Sequence, residues 1–267
     1  EIIIGTDATQ AGTITVSETA GDAALSGLAT SLRLRAEDAD VDILSDIDLS
    51  ATAGAGLTIE ATIADTAVTT LGDGGTGGDI QTDGGLVKVT DTVLLSGARS
   101  IDTENAGDAA GTVTFDAAID AATGSGDALS VDARAATTPA AVTLTGAYGG
   151  GTVTGSSGTA GALTLRGATV ALDDATADAG DITVESTDAA GTTVNGTAYE
   201  TVSSGAISFT GAVDLNAGST PSMTTAGGAG DDITFGAAVD ATTPVGLTLD
   251  AGAAGDVSLT GGAGLGG

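Results

Sequence analysis

The sequence predicts an all-β fold, a parallel β-helix or β-solenoid wound as a slender rod, and three observations carry that expectation. A glycine or aspartate turn followed by a short apolar-hydroxyl-apolar segment recurs along the chain. A longer motif holding all three phenylalanines repeats at multiples of about two dozen residues. Bulky apolar side chains are scarce: Leu, Ile, Val and Phe make up 56 of 267 residues, about 21 %, so that much of the 41 % hydrophobic content is alanine. That supply is too small for the thick core of a sandwich or a large enzyme. It suffices for a coil in which each turn buries its few large residues against those of the turns above and below.

Taken in chain order, the short segments are Gly12-Thr13-Ile14-Thr15-Val16, Gly56-Leu57-Thr58-Ile59, Gly111-Thr112-Val113-Thr114-Phe115, Gly161-Ala162-Leu163-Thr164-Leu165, Gly180-Asp181-Ile182-Thr183-Val184, Leu247-Thr248-Leu249 and Asp256-Val257-Ser258-Leu259. Each alternates with period two, which turns the branched apolar residues to one face and Thr or Ser to the other, and so reads as a strand. Runs such as Leu71-Gly72-Asp73-Gly74-Gly75-Thr76-Gly77-Gly78-Asp79 punctuate them as turns. The longer motif is apolar-hydroxyl-Phe, two spacers, Ala, apolar, Asp. It occurs at Val113-Thr114-Phe115 through Asp120, at Ile207-Ser208-Phe209 through Asp214 and at Ile233-Thr234-Phe235 through Asp240. Ile182, Ile207 and Ile233 step by 25 and 26 residues. A period of about 24 gives roughly eleven turns and a rod on the order of 50 Å long, in one unit over 1–267, with weaker repeats over 1–110 and clearer ones over 111–267. The 26-residue step between Phe209 and Phe235 predicts that their rings stack in adjacent turns.

The chain carries 36 acidic and 6 basic side chains and no histidine, for a formal charge of −30. That field repels phosphate backbones, and Lys88, Arg33, Arg35, Arg99, Arg134 and Arg166 form no basic run, so nucleic acid is not an expected partner. No apolar stretch has the length of a spanning helix, so no transmembrane segment is expected. With no Cys and no His, thiol and imidazole nucleophilic chemistry and His/Cys zinc ligation have no residues to work with, and the chain is not expected to be an enzyme. Acidity together with small polar side chains suits an extracellular or cell-surface setting, in saline water above all.

Four features are candidates for binding. Asp38, Asp40, Asp42, Asp46 and Asp48 alternate with Ala39, Val41, Ile43 and Ile47, which at strand spacing sets several carboxylates on one solvent face; hard cations such as Ca²⁺ take six to eight such oxygens. The plainer reading is a solvated strand face. Gly74-Gly75-Thr76-Gly77-Gly78-Asp79 and Gly227-Gly228-Ala229-Gly230-Asp231-Asp232 approximate a glycine-rich calcium repeat, yet each occurs alone, which favours turns. Thr-apolar-Thr triplets such as Thr13-Ile14-Thr15 and Thr143-Leu144-Thr145 are the material of ice-binding ranks, but threonine is a common outward strand residue and their spacing is irregular. Asn195-Gly196-Thr197 fits a glycosylation acceptor.

The units Ile233-Thr234-Phe235-Gly236-Ala237-Ala238-Val239-Asp240 and Gly255-Asp256-Val257-Ser258-Leu259-Thr260-Gly261 resemble the degenerate repeats of filamentous-haemagglutinin-type and autotransporter-type β-solenoid exoproteins of bacteria. The resemblance covers most of 111–267. It implies a right-handed parallel β-helix, secreted or surface-displayed, with an adhesive or scaffolding role and no catalytic residues. The expected function is therefore a structural segment or subunit of an extracellular filament, sheath or surface adhesin, self-associating end to end or continuing in a longer chain. The alternative is a calcium-dependent carbohydrate- or surface-binding adhesin module. The two differ in whether a local departure from the repeat gathers oxygen ligands. Glu1-Ile2-Ile3-Ile4 and the repeat that runs out over 255–267 lack the polar caps that blunt open strand edges, which favours association at the ends.

Overall fold

The computed structural model describes residues 1–5, 12–17, 25–36, 39–61, 67–75, 77–104, 109–124, 126–216, 218, 220–241 and 245–265. Among them every regular element is a strand and every pairing between strands is parallel. The chain coils as a β-solenoid with three faces. The first face is an eleven-stranded sheet running from Ile2–Ile4 to Ala263–Gly264, and the third is a ten-stranded sheet from Leu25–Ser26 to Val257–Leu259. The second face holds five strands, from Ile14–Val16 to Ile119–Ala121, then four, from Ala175–Ala179 to Thr248–Asp250. Tyr148 bridges the two groups, pairing with Ile119 on one side and Ala175 on the other.

Each turn contributes strands of mostly two to five residues, because a glycine or an aspartate corner interrupts the extended run before it can lengthen. Alternation then decides what is buried. Along the first face Leu32, Leu57, Val87, Val113, Val142, Val170, Thr192, Val213 and Val239 stand in register and buried, while Arg33, Thr58, Lys88, Thr114 and Thr143 point outward. Most inward positions are thus stacked on their like about 4.8 Å away, and one continuous core runs along the axis. Phe209 and Phe235 pair in register on the third face, with ring centroids 5.2 Å apart and planes inclined by 5°, the stacking that their shared motif predicts.

The turn length departs from the expected 24 residues. Register steps along the first face run from 30, for Ile2 to Leu32, down to 21, for Thr192 to Val213. Ten steps carry Ile2 to Ala263, a mean of about 26, so ten turns close where roughly eleven were expected. The reason is that only strand triplets are fixed by stacking; corners vary in length without disturbing the register, since loops lengthen at small entropic cost.

Candidate functional site

The corners explain much of the acidity. A corner breaks the strand ladder and leaves backbone N–H groups without a carbonyl, and aspartates take them. Asp40 accepts from the Val68 N–H at 3.0 Å, Asp46 from Asp79 at 3.0 Å, Asp79 from Ser100 at 2.8 Å, Asp181 from Ala206 at 2.9 Å and Asp232 from Asp256 at 2.8 Å. Each bond joins one turn to the next. These carboxylates are interturn staples as well as charges.

The five aspartates singled out from the sequence do not share one face. The chain turns a corner between Ile43 and Ile47, so Asp40 and Asp42 belong to the edge and outside of the second face, and Asp46 and Asp48 to the third. Asp38 lies outside the described residues. Asp40 and Asp46 each give one oxygen to a backbone amide, and Asp48 accepts from the N–H and hydroxyl of Ser50 at 2.9 and 2.5 Å. Among the described residues no three acidic side chains come together as a set of metal ligands. Sequence spacing missed this because strand alternation was extended through a corner that two- and three-residue strands impose.

Asp46 and Asp48 do line a groove on the rod. It lies on the outside of the third face, has a volume of about 470 Å³, and is walled by Ser26, Asp46, Asp48, Asp79, Gln81, Ser100 and Asp102 over Ile47 and Ile80. A second depression of about 370 Å³ shares Asp102 and continues past Glu104, Asp132 and Arg134. Two outward ranks run along this face. One is a file of seven hydroxyl side chains in register on successive turns: Ser100, Ser130, Thr164, Thr183, Ser208, Thr234 and Ser258. The other reads Asp48, Gln81, Asp102, Asp132, Arg166 and Glu185. The individual hydroxyls are visible in the sequence, but their alignment depends on the corner lengths.

The charged rank is compensated at its upper end only. Arg134 holds Asp132 through Nε and Nη2 at 3.0 and 2.6 Å and reaches Glu185 with Nη1 at 2.8 Å, while Arg166 Nε lies 3.1 Å from Glu185. Partial burial alone would raise the Asp132 carboxyl; the Arg134 side chain and backbone N–H, with the charges of Arg134 and Arg166, outweigh it and hold the group below the usual range. Asp102, its register neighbour, is pushed up by burial and by the charge of Asp132, against a bond from the Glu104 N–H. Two adjacent carboxylates thus differ in proton affinity because only one has an arginine.

The largest local departure from the repeat is elsewhere, over 149–158. There the chain leaves the second face and folds back over it, with Gly149, Gly151, Gly155 and Gly158 all at positive φ. Asp120, fully buried, accepts from Gly151 N–H at 2.8 Å and Val153 N–H at 2.7 Å, and Gly158 makes an antiparallel bridge to Ala121. Beneath it the Tyr148 hydroxyl donates to the Gly161 and Ala162 carbonyls at 3.1 and 2.9 Å. The segment 227–232 is a turn, in which Asp231 accepts from Gly228 and Gly205 at 2.7 and 2.9 Å. Asn195 is exposed, its side-chain oxygen 2.7 Å from Asn216 Nδ2 on the next turn.

No helix of the described residues is long and apolar enough to cross a membrane. Compared with models of protein families, with characterised proteins and with solved structures, the chain matches none.

Proposed function

We propose that the chain is a structural rod, a segment or subunit of an extracellular filament, sheath or surface adhesin. The observation that supports it best is the first face, whose eleven strands stay in parallel register from Ile2 to Gly264. Such a stack is stiff along one axis, because each turn is bonded to its neighbours by backbone ladders and aspartate staples and shares a continuous core. Its outermost strands pair on one side only. Further turns, from another copy or from the same polypeptide, would add in the same way. The acidity and the sequence resemblance to bacterial exoproteins support display outside the cell. Light scattering and negative-stain imaging of the 267-residue chain test the self-assembling form: rods in multiples of about 50 Å are expected. Monodisperse single rods at every concentration would overturn it, and absence of label on intact source cells would overturn the surface assignment.

The groove on the third face favours a second reading, an adhesin module that takes a saccharide chain or a cation along the rod axis. Asp48, Gln81, Ser100 and Asp102 offer hydrogen-bonding groups there at the strand spacing. On this reading Ca²⁺ raises the melting temperature by favouring the folded form, and Asp48→Asn with Asp102→Asn abolishes the gain. A melting temperature indifferent to Ca²⁺ and to chelator, with no glycan retained on an array, would exclude it.

A further inference from the structure

Six side chains are cationic, and among the described residues five of them stand beside carboxylates. Arg33 and Arg35 flank Glu60, Lys88 pairs with Asp116, and Arg134 and Arg166 hold Asp132 and Glu185. Arg99 differs. It occupies an inward column of the third face whose other members, on the turns above, are Leu129, Leu163, Ile182, Ile207, Ile233 and Val257. A charge thus stands where the repeat places an aliphatic side chain, and the residue is only 3 % exposed. Burying a guanidinium is costly unless its donors are met.

The two terminal nitrogens are met by backbone carbonyls of the glycine-rich segment below, while Nε finds no acceptor among the described residues. Arg99 Nη2 donates to the Gly75 carbonyl at 2.6 Å and Nη1 to the Gly77 carbonyl. The space is made by glycines. A Cβ on Gly72 would lie 2.8 Å from Arg99 Nε, and one on Gly97 only 2.4 Å from Nη2. Both glycines have positive φ, as has Gly78, which precedes the strand Ile80–Gln81 on the turn below. The Gly97 N–H in turn donates at 2.6 Å to the buried Asp127, a carboxylate on the following turn that also accepts from Thr123 and Gly124. A planar fork matching two convergent carbonyls is what guanidinium provides and a compact ammonium does not.

We infer that the Gly75 and Gly77 carbonyls, with the space left by Gly72 and Gly97, form a cation cage whose resident cation is the Arg99 guanidinium, and that truncating this side chain leaves a binding site for free guanidinium ion. The turn has the composition of a calcium repeat, carbonyl-rich and side-chain-poor, but its cation is covalently supplied from the next turn. Two consequences are measurable. Arg99→Ala lowers the melting temperature by about 5–10 °C, since the Gly75 and Gly77 carbonyls lose charged donors and the side chain's packed volume is left empty. About 10 mM guanidinium, far below the molar range in which it denatures, raises the melting temperature of Arg99→Ala while leaving that of the parent unchanged or slightly lower. Sodium chloride at equal ionic strength serves as the control and gives no such rescue.

Arg99→Lys keeps the charge and a long stem, and is expected to melt below the parent and to gain nothing from guanidinium. Should Arg99→Ala be too unstable to purify, the same comparison is made on Arg99→Gln. A variant as stable as the parent overturns the inference. So does a fall in melting temperature with guanidinium in parent and variant alike, and so does rescue of the variant by Ca²⁺ in place of guanidinium, which would make the turn a metal site.

Discussion

The third and second faces are made from the same kinds of residues, yet one runs through ten strands in register and the other is split into five and four around the two bridges of Tyr148. The third face stays continuous because its strands keep an apolar-hydroxyl-apolar core of the same length, Leu163-Thr164-Leu165 over Ile182-Thr183-Val184 over Ile207-Ser208-Phe209, so each turn is a template for the next. On the second face the turn at 146–161 has no such triplet. Tyr148 fills the inward place with one large ring, and the remaining chain is sent outside, pinned by Asp120. A solenoid therefore tolerates loss of a strand where one bulky side chain and one buried carboxylate replace its packing and its hydrogen bonds.

That comparison yields predictions of graded size. Phe235→Ala, in the regular face, removes a fully buried ring stacked on its neighbour and should cost about 3–5 kcal/mol. Combining it with Phe209→Ala should fall short of additivity by about 0.5–1.5 kcal/mol in urea unfolding, the coupling between the rings. Additive losses would mean that the columns pack independently of their neighbours.

In the interrupted face Asp120→Ala should cost about 2–4 kcal/mol, because it leaves the Gly151 amide and the buried Val153 amide without their acceptor. The loss should also be local: proteolytic nicking within 149–158 should rise before the rod as a whole unfolds. If cleavage and global unfolding rise together, the loop is part of the cooperative core.

A smaller effect is expected from pH at Asp91. Burial pushes its carboxyl up to about 6, with the charge of Asp40 adding to the rise and the Thr92 N–H, at 2.7 Å, opposing it. The folded state then holds the proton more tightly than the unfolded one. The group destabilises the fold most above about pH 6, and that penalty fades as pH falls from about 6 to the ordinary aspartate value of about 4. Asp91→Asn should accordingly melt higher than the parent at pH 7 and equal it near pH 4; a difference independent of pH would refute the assignment. Tyr148→Phe, which deletes the donor to Gly161 and Ala162, should cost about 1 kcal/mol in denaturant titration. Ser130→Ala, on the outward hydroxyl rank, should stay within about 0.5 kcal/mol. A large loss there would show that the rank carries stability as well as surface chemistry.

The sequence by itself determined the fold class, the strand triplets, their inward faces and the stacking of Phe209 on Phe235. All of these follow from period-two alternation and from a repeat that places like residues one turn apart. Only the tertiary structure decided the turn count, the alignment of seven hydroxyls into one rank, and the fate of the acidic run. Corner lengths from turn to turn set those, and corners carry little periodic signal. Hence Asp40 and Asp46, read as candidates for one metal site, separate to different faces and bond to backbone amides. Arg99 shows the same limit: its charge is legible at an aliphatic column position, but the glycine carbonyls that receive it come from the turn below. Alternation is a local property of consecutive residues. What meets across a corner depends on how many residues the chain spends going round.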